Sequence, residues 1–122
     1  MTVSELARQI DAQLFTSDPD PFREVTSIHA ASTMSSLIAN ASSGTLLVTS
    51  LCNRQLIRVA QLMDAPGLCL AGAARPDKDL LALARRSGIA ILVSPFDMEE
   101  TRRRLDRCLT GHGAVGQGAG SR

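Results

Sequence analysis

Residues 45–109 read TLLVTSLCNRQLIRVAQLMDAPGLCLAGAARPDKDLLALARRSGIAILVSPFDMEETRRRLDRCL. Within this stretch lie three short apolar runs, at residues 45–49, 68–71 and 89–93, each bounded by glycine or by a polar turn. The runs lack the alternation of polar and apolar residues that is typical of a strand with one solvated face. We therefore expect three strands that are buried on both faces.

Helical patterns separate and follow these strands, with apolar side chains on one stripe of each. They cover residues 54–64, 77–87 and 97–109. Asn53, Asp77 and Asp97 stand where N-cap residues belong. Because parallel strands need crossover connections, this βαβαβα unit predicts a three-layer α/β fold, with helices on both faces of a mostly parallel sheet of about 4–5 strands.

The segment before residue 45 adds shorter elements. Thr2 and Glu5 have the spacing of a capping box, which indicates a helix start. Turn-forming residues fill positions 17–21, where each proline disfavours helix at the residue before it. The expected elements are a helix over about residues 3–12, strands over 13–15 and 22–31, and a helix over 34–41.

Composition predicts one folded domain and a short tail. The chain has 122 residues, of which 44% are hydrophobic and 20% charged, and this balance is typical of a globular protein. Residues 110–122 are rich in glycine and lack apolar side chains that could pack. We expect a folded domain over residues 1–109 and a disordered tail over 110–122.

Charge and hydropathy exclude several partners. A formal net charge of +1, from 13 basic and 12 acidic side chains spread along the chain, gives no field that attracts a polyanion such as nucleic acid. One predicted helix begins with acidic residues and continues with a basic run, namely Arg102, Arg103, Arg104 and Arg107. This order of charges interacts favourably with the helix dipole and so stabilises the helix. Neither a signal peptide nor an apolar stretch of about 20 residues occurs, so we expect a cytoplasmic protein without a membrane span.

Cysteine and histidine positions favour no metal site and no cofactor. Cys52, Cys69 and Cys108 are an odd number without C-x-x-C spacing, and His29 and His112 fit no ligand spacing with them. Cys69 and Cys108 are interpreted as small core residues. Cys52, at a strand end, is the one thiol whose reactivity is worth testing.

Phosphate-binding motifs are also unsupported. Residues 111–116 match G-x-G-x-x-G, but a helix precedes them, whereas the dinucleotide motif needs a strand before it and a helix after it. Lys78 is the only lysine, and no Walker-type string contains it. We therefore predict no catalytic residues and no enzymatic activity.

Ligands of an open parallel sheet gather at the carboxyl ends of the strands, where loops lead into helix N-termini. If the three loops at this edge converge, their polar residues surround a small cleft with two guanidinium groups for an anion. Alternatively, these residues only cap helices and solvate loops. The predicted ligand-binding residues are Thr49, Ser50, Asn53, Arg54, Gly72, Arg75, Ser94 and Asp97.

The order of the motifs resembles the DRTGG domain over roughly residues 3–107. The similar segments are FREVT at 22–26, the helix at 34–41, GTLLVT at 44–49, GLCLAG at 67–72, RPD at 75–77 and ILVSPFD at 91–97. The chain differs in lacking the literal DRTGG string and in having Gly72-Ala73-Ala74 where relatives have a glycine pair. In particular, it is similar to the stand-alone DRTGG proteins that accompany iron-only hydrogenases, and to the N-terminal domain of HPr kinase/phosphorylase.

This resemblance implies that the chain is not a kinase, because the catalytic half of HPr kinase/phosphorylase is a separate domain that carries the P-loop. The strand-end edge of an α/β sheet, together with the missing catalytic groups, favours a non-catalytic regulatory or small-ligand-binding module. The expected ligand is a small anion or a nucleotide-like molecule, the expected protein partner is a hydrogenase or another redox protein, and a homodimer through a helix face or sheet edge is expected. One alternative is a protein-interaction adaptor without a small-molecule ligand. A second is a small enzyme that uses Cys52 or His29.

Overall fold

A computed structural model describes residues 1–114, and the side chains of residues 1–110. Ten elements follow one another along the chain. They are α1 (Val3–Gln9), β1 (Gln13–Thr16), β2 (Ser27–Ala30), α2 (Met34–Asn40), β3 (Thr45–Thr49), α3 (Arg54–Leu62), β4 (Gly67–Leu70), α4 (Lys78–Ser87), β5 (Ala90–Val93) and α5 (Met98–Ala114).

The five strands form one sheet in the order β1-β5-β4-β3-β2. Strands β2 to β5 run parallel, and β1 pairs with β5 in the antiparallel direction. Leu47 pairs with Leu68, which in turn pairs with Ile91, so the three predicted buried strands lie side by side. The predicted α/β fold with a mostly parallel sheet is confirmed.

Two apolar clusters fill the space on the two sides of this sheet. Along β3, Leu46 and Val48 belong to one cluster and Leu47 to the other, as the alternation of strand side chains requires. Helices α2, α3 and α4 bury their stripes in the cluster of Leu47, while α1 and α5 bury theirs in the cluster of Leu46. This arrangement gives the three expected layers, and it leaves the ends of the strands as the accessible edges.

The predicted N-caps are confirmed. Backbone N–H groups donate to the side-chain oxygens of Asn53, Asp77 and Asp97 at 2.7 to 2.8 Å. Thr2 and Glu5 form a complete capping box at the start of α1. Helices α3, α4 and α5 therefore begin where these polar side chains replace the missing intrahelical acceptors.

Two element boundaries differ from the sequence-based expectation. Strand β2 covers only residues 27–30, because Asp20 accepts backbone hydrogen bonds from Phe22 and Arg23 and holds that segment in a turn. Helix α5 continues to Ala114, past the last apolar position of its stripe. Residues 115–122 of the predicted tail lie outside the described residues, so the boundary at 109 and the disorder beyond it stay predictions.

Candidate functional site

The carboxyl ends of β3, β4 and β5 lie along one edge of the sheet, and hydrogen bonds join the loops that follow them. Ala71 N–H donates to Thr49 O at 2.9 Å. Gly72 N–H donates to Phe96 O at 2.7 Å, and Ala73 N–H donates to Ser94 O at 2.8 Å. The three loops therefore form a connected surface, as parallel strands require.

Thr49 and Ser94 are fully buried at this edge. Thr49 Oγ1 accepts a hydrogen bond from Leu51 N–H. Ser94 Oγ lies 2.8 Å from Thr101 Oγ1, and it accepts from Phe96 N–H. Both hydroxyls thus hold the loops in place, and neither side chain reaches the surface.

Four more of the predicted ligand-binding residues lie at the starts of helices or in the loops of this edge. The side-chain oxygens of Asn53 and Asp97 are occupied as helix caps. Gly72 has a φ of 76°, in the left-handed region that glycine enters without a steric cost. Ser50 is exposed at the end of β3.

The two predicted anion-binding arginines point to different places. Arg54 Nη2 lies 3.1 Å from Asp79 Oδ2, so its guanidinium reaches across to α4. It lines a groove between α3 and α4. Arg75 lines a separate cavity, so these two guanidinium groups do not share one cleft.

The cavity beside Arg75 has a volume of about 420 Å³ and opens at the carboxyl edge. Strand β1 supplies one wall, and the loops after β4 and β5 supply the others. The lining residues are Asp11, Gln13, Phe15, Ala73, Ala74, Arg75, Pro76, Val93 and Pro95. Of the eight residues predicted from sequence, Arg75 is the one in this lining.

Comparison with known proteins places the chain in a family. The sequence model of the DRTGG domain family matches residues 5–108 of this chain. The chain belongs to the DRTGG domain family. This match confirms the resemblance seen in the order of the motifs.

A solved structure has the same fold as this DRTGG domain. It is the crystal structure of the CBS and DRTGG domains of the regulatory region of a Clostridium perfringens pyrophosphatase, complexed with its activator diadenosine tetraphosphate. The TM-score is 0.67 at 16% identity, and the match covers 85% of this chain and 45% of that chain. The DRTGG domain described here thus spans less than half of that crystallised regulatory region. No curated protein sequence shows significant similarity to it.

The polar groups of the Arg75 cavity are of three kinds. Arg75 brings a guanidinium, Asp11 a carboxylate and Gln13 an amide. Phe15, Val93 and the two prolines supply apolar surface between them. Such a mixture suits a ligand that has a flat apolar part, hydrogen-bonding groups and a negative charge.

Phe15 is the aromatic ring that this cavity offers. The DRTGG domain contains three phenylalanines. Phe22 is 84% exposed on the turn before β2, and the Phe96 ring lies under the Arg104 guanidinium, 3.7 Å from ring centroid to Cζ. Phe15 is half-buried in β1, so its position is set by the sheet.

The loop between β4 and α4 carries one unusual backbone conformation. Ala73 has a φ of 54°, which lies in the left-handed region although the residue is not glycine. Asp11 and Asp64 also have positive φ, but both follow helix ends whose next N–H bonds back to the last turn. Ala73 has no such role, and the hydrogen bond to Ser94 O holds it in place.

The nucleophiles considered from sequence have ordinary surroundings. Burial raises the pKa of the Cys52 thiol, and the charge of Asp77 raises it further. His29 Nε2 lies 3.0 Å from Ser36 Oγ, and Ser36 N–H donates to the N-cap Thr33 Oγ1 of α2. A raised thiol pKa lowers the thiolate fraction, so the environment of Cys52 does not activate it.

The described residues contain neither a metal-ligand cluster nor a membrane-spanning helix. No group of three His, Cys, Asp or Glu side chains is arranged to hold a metal ion within that part of the chain. No helix in the described part of the chain is long and apolar enough to cross a bilayer. The basic run of α5 is paired internally, because Arg102, Arg103 and Arg104 form ion pairs with acids three or four residues away.

Of the nine lining residues, only Arg75 was predicted from sequence, and the three from the N-terminal segment, Asp11, Gln13 and Phe15, were not associated with this edge at all. They reach the cavity because β1 joins the sheet beside β5 and runs antiparallel to it. Periodicity identifies the strand but carries no information about its neighbour. The one local signal was the presence of a phenylalanine in a short strand of a chain that is poor in aromatic residues.

Proposed function

We propose that this DRTGG domain is a non-catalytic regulatory module that binds a small, anionic, nucleotide-like ligand in the cavity beside Arg75. The observation that carries the proposal is the convergence of the Arg75 guanidinium and the Phe15 ring on one cavity of about 420 Å³. This volume falls within the usual range of small-molecule sites.

Each part of a nucleotide has a counterpart in the cavity lining. The Arg75 guanidinium presents a planar fork of donors that matches phosphate oxygens. The Phe15 ring and the prolines provide apolar surface for a base, and Asp11 and Gln13 can exchange hydrogen bonds with its polar edge. The Asp11 carboxylate opposes a second negative charge, which favours a ligand whose phosphate lies at the Arg75 end.

The regulatory role is supported by the kind of protein that shares the fold. The pyrophosphatase region is regulatory and was crystallised with a dinucleotide activator. At 16% identity this likeness shows the fold alone. By analogy, we propose that the present domain changes the behaviour of a protein to which it is joined or bound.

Thermal unfolding with AMP, ATP, diadenosine tetraphosphate and inorganic phosphate tests the proposal. A ligand at a hundred times its Kd stabilises the folded state by about 2.7 kcal/mol, which is a shift of several degrees in Tm. The shift should be lost in Arg75→Ala and kept in Arg85→Ala, which removes the same charge from the last turn of α4. If none of the four compounds raises the Tm of the wild-type domain, the proposal fails.

A protein-interaction adaptor is the second candidate function, and exposed apolar side chains favour it. Phe22 is 84% and Leu62 is 83% exposed, and Arg23 holds their segments together by donating to Asp64 O at 2.7 Å. Exposed apolar residues that lie close together often mark protein contacts. If this function is correct, Phe22→Ser with Leu62→Ser should break a complex that Arg75→Ala leaves intact.

The more specific expectations on partners remain proposals. A hydrogenase or another redox protein is one proposed partner, and a homodimer through a helix face or sheet edge is another. Sedimentation velocity at several protein concentrations tests the dimer, and co-purification from cells that also express an iron-only hydrogenase tests the redox partner. If the protein sediments as a monomer at every concentration, a homodimer is excluded over that concentration range.

A further inference from the structure

Residues of α3 and α4 line a second cavity, which has no lining residue in common with the cavity beside Arg75. It is a groove of about 350 Å³. Its lining residues are Arg54, Arg58, Asp79, Ala82, Leu83 and Arg86. Arg54 and Arg58 are one turn apart on α3, and Arg86 faces them from α4.

Positive charge exceeds negative charge in this groove. Its three guanidinium groups face one carboxylate, that of Asp79, which pairs with Arg54 at 3.1 Å. Among the ion pairs of the described side chains, none involves Arg58 or Arg86. The chain as a whole has a net charge of only +1, so this excess is a local feature.

By contrast, Arg102, Arg103 and Arg104 of α5 have acids three or four residues away that neutralise them. Guanidinium groups that face one another across a groove repel, and an anion between them removes this repulsion. Ala82 and Leu83 add apolar surface to the lining of the groove.

We propose that the α3–α4 groove is a second anion site, which binds a short polyphosphate chain through Arg54, Arg58 and Arg86. Each planar guanidinium can donate two parallel hydrogen bonds to phosphoryl oxygens. Three of them along an open groove fit a pyrophosphate or triphosphate better than a single phosphate. The site goes beyond the proposed function, because it shares no lining residue with the Arg75 cavity.

Inorganic tripolyphosphate is the probe for this site, because it has no base for the Phe15 cavity. A titration of the full chain, followed by the amide resonances of the ¹⁵N-labelled protein, reports where it binds. We expect saturable shifts in α3 and α4, and binding weakened roughly tenfold or more by Arg58→Ala with Arg86→Ala, from lost charge-assisted hydrogen bonds. The variant's own amide spectrum and Tm show whether it is folded.

Two matched variants complete the experiment. Arg85→Ala removes an equal charge next to Arg86 in α4, and Arg75→Ala removes the cation of the other cavity; both should bind tripolyphosphate like the wild type. The proposal is overturned if there is no saturable binding, if Arg85→Ala weakens binding as much as the groove variant, or if the shifts map to residues 73–76. The last result would assign the anion to the Arg75 cavity and leave the proposed function standing.

Discussion

Gln13 pairs with Val93 across the antiparallel contact of β1 and β5. Val93 is the last residue of a parallel strand, so this pairing puts the beginning of β1 at the carboxyl edge of the sheet. Asp11, Gln13 and Phe15 consequently lie beside the loops that follow β4 and β5. A strand from the N-terminal segment thereby supplies a wall of a cavity whose other walls come from the parallel unit.

Thr16 has a structural role in that contact which a substitution can test. The register shifts between Leu14 and Thr16, and Thr16 Oγ1 donates to Ile89 O at 2.7 Å and accepts from Ile91 N–H at 2.8 Å. Thr16→Val keeps the shape but leaves two buried backbone groups unpaired, which should cost about 2–4 kcal/mol of unfolding free energy. Urea unfolding measures this loss, and Thr16→Ser, which keeps the hydroxyl, should lose clearly less.

Gly67 is predicted to tolerate no side chain. A Cβ at this position would lie 2.8 Å from the backbone oxygen of Ala90 on the neighbouring strand. Gly67→Ala must therefore push β4 and β5 apart at the start of their pairing, and we expect a loss of about 1–3 kcal/mol. Chemical denaturation of the variant checks this value, and wild-type stability would show that the two strands separate there without cost.

Gly72 and Ala73 should respond to substitution in opposite directions. A Cβ at Gly72 meets no atom within 4 Å, so Gly72→Ala should cost only the conformational penalty of a positive φ, about 1 kcal/mol. Ala73→Gly relieves the same penalty but adds freedom to the unfolded chain, so its stability should equal or slightly exceed that of the wild type. A marked loss of stability in Ala73→Gly would contradict the left-handed conformation of this loop.

Thiol reactivity provides a check that does not depend on a ligand. Burial raises the pKa of the Cys69 thiol to about 12, and burial followed by the charge of Asp77 raises that of Cys52. Both shifts lower the thiolate fraction near neutral pH, so Cys52 should be alkylated more slowly than a thiol of the unfolded chain, and Cys69 only on unfolding. Mass spectrometry after timed iodoacetamide treatment measures both rates, and rapid alkylation of Cys52 would revive the enzyme hypothesis.

Sequence patterns predicted the elements of the parallel unit because their causes are local. Apolar runs identified β3, β4 and β5, and Asn53, Asp77 and Asp97 identified the helix starts through hydrogen bonds within a few residues. These interactions are set by residues close together in the chain. The same local reasoning explains why two of the predicted site residues, Asn53 and Asp97, prove to be caps.

The position and lining of the cavity beside Arg75 depend on long-range contacts that sequence periodicity does not encode. Strand β1 is placed next to β5 by pairing between residues about 80 positions apart, as in Gln13 with Val93. The direction of Arg54 is set by Asp79, which is 25 residues away in the chain. For these reasons the loop positions in the sequence predicted one cleft for Arg54 and Arg75, whereas these two arginines line different cavities.

The proposed function requires that the cavity between Phe15 and Arg75 bind a nucleotide. AMP is the smallest of the nucleotides named above, and it carries both a base for the ring and a phosphate for the guanidinium. Its titration can be followed by the amide resonances of residues 1–110. We predict saturable shifts confined to residues 11–15, 73–76 and 93–95, which disappear in Arg75→Ala. Shifts confined to α3 and α4, or no saturable shift up to millimolar AMP, would contradict the claim.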